Sequence, residues 1–369
     1  MRNVPTSKNT ATCEKKRPDS GPARIPALPM LAILLVGLLA FQGCDSDMIN
    51  CGGGIPPDDG GRFPSDGGGG GNLTGETSPG AAVSRLESYL GRSDFEALFP
   101  VRFGSPGWIE HTGRTDVIEY HSFDNLKAAV WEMAHLKYEI EFRDHPDGLM
   151  PYLSRSFVTN KATGTRAPVV ENPGFNAEWN QGWPIVTQTV DFGSFLAAGS
   201  ANDRRRELAA FLANISHETT GGWDGAPGGR FAWGLFFNEE VGFESGDVLG
   251  YVQADPNFPP CPGRSYHGRG PIQLSWNFNY GLASAVLFQD RSILLRNPER
   301  VAACGKLGFM TALWFWMTPQ APKPSCHDIM TGNWTPTPAD IADGRTEPGF
   351  GMTIMVLDEM GAKIVDSIK

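Results

Sequence analysis

The segment FLANISHETTGGW, residues 211–223, carries the clearest structural signal in this chain. It overlaps the end of a longer run, DRRRELAAFLANISH (203–217), in which apolar side chains recur at spacings i, i+3, i+4 and i+7. Those side chains are Leu208, Phe211, Leu212 and Ile215. The spacing predicts a helix with one buried face. Glu218 follows at the end of this helix, where the helix macrodipole disfavours a carboxylate.

Three interpretations compete for Glu218. A single glutamate near a helix end is most often a solvated surface residue. A zinc site of the HExxH type needs a second histidine at the position of Gly221, so the metal interpretation fails. The third interpretation is an acid in a cleft. That role requires a partner, because general acid/base hydrolysis of a glycosidic bond uses two carboxylates with separate roles.

Partner carboxylates occur downstream in two aromatic, glycine-rich segments. GRFAWGLFFNEE (229–240) ends in Glu239 and Glu240, and YHGRGPIQLSWNFNY (266–280) follows. The polar residues of the second segment alternate along the chain: Gln273, Ser275, Asn277 and Asn279. Alternation predicts an extended segment that presents them on one face. Aromatic rings among amides and hydroxyls suit sugars, whose CH faces stack on rings while their hydroxyls form hydrogen bonds.

The composition excludes some classes of partner. The 369 residues carry a net charge of −10, which argues against nucleic acid and against electrostatic docking on an anionic membrane. A hydrophobic content of 40% with ten tryptophans is enough for a sizeable core. We expect a monomeric protein that acts on a neutral substrate.

The first eighty residues do not resemble a folded domain. Residues 1–44 predict an export signal, because a basic region precedes the apolar run IPALPMLAILLVGLLAFQGC (25–44). Its end, LAFQGC, resembles a bacterial lipobox in which Cys44 is lipidated; an uncleaved membrane anchor and simple secretion remain open. Residues 45–80 are rich in glycine and proline and predict a disordered tether. The expected location is therefore outside the cytoplasm, as a cell-envelope lipoprotein or a secreted protein.

Beyond the tether the chain has three cysteines, Cys261, Cys304 and Cys326. In an oxidising compartment this odd number predicts one disulfide and one free thiol, and the sequence leaves the pairing open.

The rest of the chain predicts a mainly α domain over residues 81–369, with long ordered loops and few, short strands. Helical periodicity marks residues 82–99, 121–136 and 301–317 as well as 203–217. No sustained apolar–polar alternation is evident. Between about 138 and 188 the pattern becomes polar and interrupted, which indicates an insertion or small subdomain.

Five motifs together resemble the catalytic domain of glycoside hydrolase family 19, the plant-type chitinases. In chain order they are FLANISHETTGGW, GGRFAWGLFFNEE, YHGRGPIQLSWNFNY, ALWFWMT and PKPSCHDIMTGNW. FEALFPVR (95–102) and YHSFDNL (120–126) resemble the N-terminal helices of the family. The resemblance implies a two-lobed, lysozyme-like fold. It also implies an endo-acting, inverting chitinase that cuts β-1,4-linked N-acetylglucosamine without a metal or organic cofactor.

The resemblance assigns roles to single residues. Glu218 matches the general acid, Glu240 the general base, and Ser275 a serine that helps to hold the nucleophilic water. The substrate-binding positions are Gln273, Asn279, Lys323, Trp233 and Phe278, with core packing as the alternative for Trp233. Arg269 is given no catalytic role and is interpreted as an ion-pair partner that fixes its loop.

Several positions depart from the family pattern. Glu239 stands where the family usually has an amide, Phe278 where a tyrosine is common, and Phe236 where plant members have a cysteine. After PGFG (348–351) the chain reads MTIMVLDEMGAKIVDSIK, in which a substrate-contacting asparagine and an arginine near the carboxylates are not recognisable. Two alternatives therefore stay open: a peptidoglycan-cleaving hydrolase, and a catalytically weak chitin-binding protein.

Overall fold

The computed structural model describes residues 73–145, 153–243 and 249–357. The predicted signal segment and most of the predicted tether lie outside these ranges. The first helix begins at Pro79, two residues before the predicted start of the domain, and the side chain of Ser78 caps it by accepting a hydrogen bond from the Ala81 amide. Within the described ranges, no helix has both the length and the apolarity needed to cross a membrane.

Helices dominate the described residues, as predicted. Their bounds are α1 Pro79–Tyr89, α2 Arg92–Leu98, α3 Pro106–Thr112, α4 Phe123–Met133, α5 Ala201–Glu218, α6 Asn277–Phe288, α7 Ser292–Arg296, α8 Arg300–Ala303, α9 Gly305–Met317, α10 Cys326–Thr331, α11 Pro338–Ala342 and α12 Phe350–Leu357. The helix predicted over 82–99 is two helices, because the chain leaves helical geometry at Leu90 and Gly91.

The predicted insertion contains a four-stranded antiparallel sheet in the order β3-β2-β1-β4. The strands are β1 Leu136–Arg143, β2 Arg155–Asn160, β3 Arg166–Glu171 and β4 Ile185–Asp191. Every second residue of β1 is buried, from Leu136 to Phe142. The expectation that no alternation is present is therefore wrong for LKYEIEF, which has the period of two that a half-buried strand requires.

The core centres on α9, whose apolar residues are almost all buried. The rings of Trp314, Trp316 and Phe309 have no exposed surface. Phe211 of α5 packs edge-on against Trp316, with ring centroids 5.4 Å apart. Aromatic pairs add about 0.5–1.5 kcal/mol beyond the burial of their area, so this contact helps to position α5 against α9, and α5 also packs on α10 and α12.

A buried ion pair joins α5 to α10. Glu207 has no exposed surface, and its Oε1 accepts hydrogen bonds from His327 Nδ1 at 2.6 Å and from Trp316 Nε1 at 3.3 Å. Burial lowers the pKa of His327, but the hydrogen bond and negative charge of Glu207 outweigh burial, so the net pKa lies above its ordinary value. The charged histidine is thus part of the folded structure.

Replacing His327 with Gln is expected to lower the free energy of unfolding by about 3 kcal/mol near pH 6, because the variant loses the buried contact of His327 with Glu207. The pKa of His327 is higher in the folded than in the unfolded chain. Its stabilisation is therefore fully present below about pH 6.5 and is lost as the pH rises through the folded-state pKa. Urea unfolding at several pH values measures the difference between wild type and variant, which should shrink as the pH rises.

The control for this prediction is His135→Gln, because the Nδ1 of His135 lies 3.0 Å from the backbone carbonyl of Trp131. This variant makes the same change of side chain away from Glu207, so the effect of His327→Gln is compared with it. A difference between wild type and His327→Gln that stays constant or grows with pH would contradict the assigned ion pair.

The cysteines depart from expectation. Cys304 is disulfide-bonded, whereas Cys261 and Cys326 are free thiols. The predicted disulfide within this set of three is therefore wrong, since the bond of Cys304 joins it to neither of the others. Burial raises the pKa of the Cys326 thiol far above its ordinary value, which keeps it neutral and unreactive.

Candidate active site

The end of α5 opens into a cleft with a cavity volume of about 430 Å³. Its walls come from the last turn of α5, from Glu240 and Tyr251, from the loop and first turn of α6 over 268–279, from residues 315–323, and from the end of α12. Among the described residues of the inserted sheet, none lines this cavity. The cleft is therefore built mainly from the segments that carry the five motifs, with α12, Tyr251 and Gln320 added.

Seven of the eight predicted catalytic and substrate-binding residues line this one cavity. They are Glu218, Glu240, Ser275, Gln273, Asn279, Lys323 and Phe278. Glu218 is the last residue of α5, while Glu240 lies on a segment that pairs with residues 268–270. The two carboxylates thus enter the cavity from separate parts of the chain.

Trp233 is the residue that the structure places elsewhere. Its ring is 3% exposed and packs against Trp223 and Phe236, with centroids 4.8 and 5.4 Å away. Its Nε1 donates to the carbonyl of Pro227 at 2.9 Å. Because the indole is almost completely buried among aromatic rings and its polar atom already has a partner, the substrate-binding assignment of Trp233 is corrected to core packing.

Glu240 is held by two donors. Tyr251 Oη donates to its Oε1 at 2.8 Å, and the backbone amide of Gly268 donates to its Oε2 at 3.0 Å. Burial, together with the hydrogen bond to Glu240 and its charge, raises the pKa of Tyr251 to about 12. The phenol therefore stays neutral and keeps donating throughout the pH range in which proteins work.

Glu239 points to the other side of the same segment. Its Oε1 accepts hydrogen bonds from His267 Nε2 at 2.7 Å and from Arg269 Nε at 2.8 Å. The interpretation of Arg269 as an ion-pair partner that fixes its loop is confirmed. Of the two adjacent glutamates, only Glu240 lines the cavity.

The loop between Gly268 and α6 is strained. Gln273 and Trp276 have positive φ values of 50° and 74°, a conformation that costs of order 1 kcal/mol or more for a residue with a side chain. Internal hydrogen bonds compensate: Gln273 Nε2 donates to the Gly270 carbonyl at 3.0 Å, and Ser275 Oγ donates to the Gln273 carbonyl at 2.8 Å. This geometry presents Gln273 and Ser275 side by side at the cavity wall.

The prediction of one extended segment over residues 273–279 is wrong, because α6 begins at Asn277. Asn277 is fully buried and joins α6 to a distant loop: its Oδ1 accepts from the Gln253 amide, and its Nδ2 donates to the Gln253 and Phe258 carbonyls. Asn279 stays at the cleft and donates to the Ser275 carbonyl at 3.0 Å. Asn277 therefore supports the loop that carries Tyr251, whereas Asn279 faces the cavity.

Aromatic rings form part of the wall. Trp276 and Phe278 lie nearly parallel, with an interplanar angle of 15° and centroids 6.1 Å apart. Tyr251 meets Trp276 edge-on at 5.4 Å. At the rim, Lys323 and Gln320 exchange backbone hydrogen bonds of 2.9 and 3.1 Å, which fix the backbone at Lys323. In the parts of the chain that the structure describes, no three His, Cys, Asp or Glu side chains are grouped so as to hold a metal ion.

Comparison with known proteins identifies the family. The family model described as chitinase class I, of glycoside hydrolase family 19, matches residues 181–362. An endochitinase of Carica papaya is 54% identical over 174 residues, which are 47% of this chain and 68% of that protein. The chain belongs to glycoside hydrolase family 19. Chitinase 10 of Oryza sativa is 55% identical over 175 residues, covering 47% of this chain and 58% of its own.

The inactive chitinase-like protein 1 of Hevea brasiliensis is also similar to this chain: it is 48% identical over 174 residues, which are 47% of this chain and 53% of that protein. The chain thus spans about half to two thirds of the length of the curated relatives it matches. Among solved structures, a bacterial family 19 chitinase matches 73% of this chain and 81% of its own, with 22% identity and a TM-score of 0.40.

The range that the family 19 model matches contains the cleft but leaves out three strands of the sheet. Every residue that lines the cavity lies between 217 and 357, inside the matched range. Strands β1, β2 and β3 lie before residue 181 and outside it. The residues of the cleft therefore all lie within the range that the family model matches, and three of the four strands lie before that range.

Two residues of the family 19 site were not predicted from the sequence. Tyr251 lies in a loop of proline, glycine and short polar residues, where nothing distinguishes it from other exposed aromatics. Gly268 lies within the quoted HGRG, and its glycines did indicate an unusual loop. Their partner Glu240 is 28 residues from Gly268 in sequence, so only the folded chain reveals the contact.

Gly268→Ala is expected to lower the hydrolytic activity that is proposed for this chain by up to about 10²-fold, because a misplacement of about 1 Å close to the chemistry costs that much. An added Cβ would lie 2.7 Å from Gln273 Oε1 and 3.2 Å from Gln273 Cβ. The amide end of the Gln273 side chain would have to turn away, and the contact with Gln273 Cβ would have to open by a few tenths of an ångström. Both changes disturb the wall beside the amide that holds Glu240. Steady-state kinetics on a chitin oligomer measures the loss.

The matched control is Gly80→Ala in α1, where an added Cβ meets no atom within 4 Å. It should leave activity unchanged. Wild-type activity in Gly268→Ala would show that the amide of Gly268 and the position of Gln273 matter little.

Proposed function

We propose that this protein is a chitinase that hydrolyses β-1,4-linked N-acetylglucosamine by inversion, with Glu218 as general acid and Glu240 as general base. The observation that carries the proposal is that these two carboxylates line one cavity from separate elements. An inverting pair needs its carboxyl groups ~6.5–9.5 Å apart, so that a water fits beside the sugar. Membership in family 19 supports the same chemistry.

Glu218 suits the role of acid because of its position. It ends α5 and lines the cavity from an element separate from the segment that carries Glu240. A protonated Glu218 would donate to the oxygen of the leaving sugar as the glycosidic bond breaks.

Glu240 suits the role of base because of its donors. Tyr251 and the Gly268 amide bind one oxygen each, which orients the carboxylate while lone pairs remain to accept a proton from water. Ser275, on the same wall, would hold the attacking water. The resulting step takes a proton from water at Glu240 as the water attacks the anomeric carbon, while Glu218 protonates the leaving oxygen.

The remaining wall suits an amide-bearing sugar. Gln273 and Asn279 offer amide donors and acceptors, and Phe278 and Trp276 offer apolar faces. Neutral polar groups with aromatic rings match N-acetylglucosamine, which has no charge to neutralise. We therefore propose chitin or chitooligosaccharides as the substrate, with endo action.

We further propose that the protein is exported and held at the cell envelope through a lipid on Cys44. This proposal rests on the apolar run 25–44 and its lipobox-like end. Metabolic labelling with a clickable fatty acid tests it: labelled wild type and unlabelled Cys44→Ala would support the anchor, and equal labelling would contradict it.

The proposed activity is tested by incubating the protein with colloidal chitin and, separately, with purified peptidoglycan, beside Glu218→Gln. Reducing ends released from chitin by the wild type alone would support the proposal. Release only from peptidoglycan would replace it with the hydrolase of that polymer. Chitin bound but left uncut by a folded wild type would replace it with a binding function.

A further inference from the structure

The residues next to the proposed base form a short two-stranded ladder. The Glu240 amide donates to the Gly268 carbonyl at 2.8 Å, and the Gly270 amide donates to the Asn238 carbonyl at 2.9 Å. Consecutive residues of such a ladder point to opposite sides. Glu240 accordingly lines the cleft, and Glu239 enters the buried layer behind it.

Behind the ladder, Glu239 completes an ion-pair cluster. Its Oε1 accepts from His267 and Arg269, whose side chains are 1% and 6% exposed. Burial raises the pKa of Glu239, but the hydrogen bonds and charges of His267 and Arg269 outweigh burial, so the net pKa lies below its ordinary value. Glu239 is therefore ionised at neutral pH and keeps both bonds.

The cluster is anchored to the core through α6. Arg269 Nη1 donates to the Ser265 carbonyl at 3.0 Å and to Tyr280 Oη at 3.1 Å. Tyr280 Oη in turn donates to the His267 carbonyl at 2.8 Å. Segment 265–269 is thus held by the side chains of His267 and Arg269 and by the carbonyls of Ser265 and His267.

The position of Gly268 connects this cluster to catalysis. Gly268 lies between His267 and Arg269, the two residues that donate to Glu239. Its amide donates to Glu240 Oε2 at 3.0 Å. Any slip of residues 267–269 along the ladder would carry that amide away from the base.

We propose that Glu239 is a positioning residue for Glu240: by clamping His267 and Arg269 from behind, it keeps the Gly268 amide on the carboxylate of the base. This proposal rests on the proposed function for the reaction that Glu240 serves, but the geometry of the clamp does not depend on that reaction.

The two bonds to Glu239 end on the same oxygen, which makes a sharp test. Glu239→Gln supplies an amide oxygen at that place and keeps both donors satisfied, whereas Glu239→Ala removes the acceptor. We expect Glu239→Ala to lower kcat roughly 10- to 100-fold with little change in KM, since misplaced catalytic groups cost rate. We expect Glu239→Gln to restore most of that loss.

A second readout needs no activity. In hydrogen–deuterium exchange, the Gly268 amide should exchange faster in Glu239→Ala than in wild type and Glu239→Gln. Glu141→Ala is the matched control, because Glu141 is also a half-buried glutamate paired with an arginine, Arg155, at 2.6 Å. It lies on β1, outside the cleft, and should leave kcat and the exchange of Gly268 unchanged.

The outcomes separate the two claims. A wild type that cuts no substrate would overturn the proposed function, and the exchange data alone would then decide the clamp. Unchanged Gly268 exchange in Glu239→Ala would overturn the clamp. If Glu239→Gln is as impaired as Glu239→Ala, charge and not the shared acceptor controls the site, and the proposal is also overturned.

Discussion

Glu218→Gln is expected to reduce the rate of chitin oligomer hydrolysis by about 10³-fold, within the range that a lost general acid costs. The amide has the shape of the carboxyl group but no proton to donate to the leaving oxygen. Glu218 lies at the end of a helix held by Phe211 and Trp316, so the variant should fold normally. Initial rates on N-acetylglucosamine hexamer measure the effect.

Two further observations make this prediction specific to the acid. KM should change little, because the amide still fills the cavity. Glu110→Gln on α3, an exposed glutamate outside the cavity, should behave as wild type. Retention of more than about a tenth of the wild-type rate in Glu218→Gln would remove this residue from the role of acid, because general acids contribute at least ~10²-fold.

Glu240→Gln is expected to cause a loss of similar size, about 10³-fold. Its amide can still bind the Gly268 amide and the Tyr251 hydroxyl, but it cannot take a proton from water. The adjacent Glu239→Gln, with the same chemical change one residue away, should keep most of its activity. Initial rates of the two variants on the same oligomer give the comparison.

This pair of variants tests which of two neighbouring glutamates serves the reaction. The side chains differ in environment and not in chemistry, because one lines the cavity and the other is held by His267 and Arg269. An active Glu240→Gln beside an inactive Glu239→Gln would reverse the assignment.

The sequence predicted the helices and the candidate site where local signals were strong. The apolar periodicity before Glu218 specifies α5 directly, and the order of the motifs indicates which loops meet. The alternation in LKYEIEF also specifies β1, but its short length within a polar region hid it. A strand is confirmed by the strands that it pairs with, and these cannot be read from its own sequence. In the sheet β1 lies between β2 and β4, although β4 is far from it along the chain.

Other features depend on contacts between distant segments. The polar alternation from Gln273 to Asn279 suggested a single strand, but helix α6 begins within it and turns Asn277 into the core. Trp233 belongs to an aromatic motif near the cleft, but Trp108 and Phe236 share its buried cluster. In each case the residue type was compatible with both roles, and packing decided between them.

The central claim is that Glu218 and Glu240 cut a β-1,4 glycosidic bond by inversion. Proton NMR of N-acetylglucosamine hexamer during the first minutes of hydrolysis tests it most directly, because the fresh reducing end is seen before it mutarotates. We predict that the α-anomer appears first with the wild type and that Glu218→Gln forms no fresh anomer on this timescale. A fresh β-anomer would contradict inversion, and no cleavage by the folded wild type would contradict the proposed activity itself.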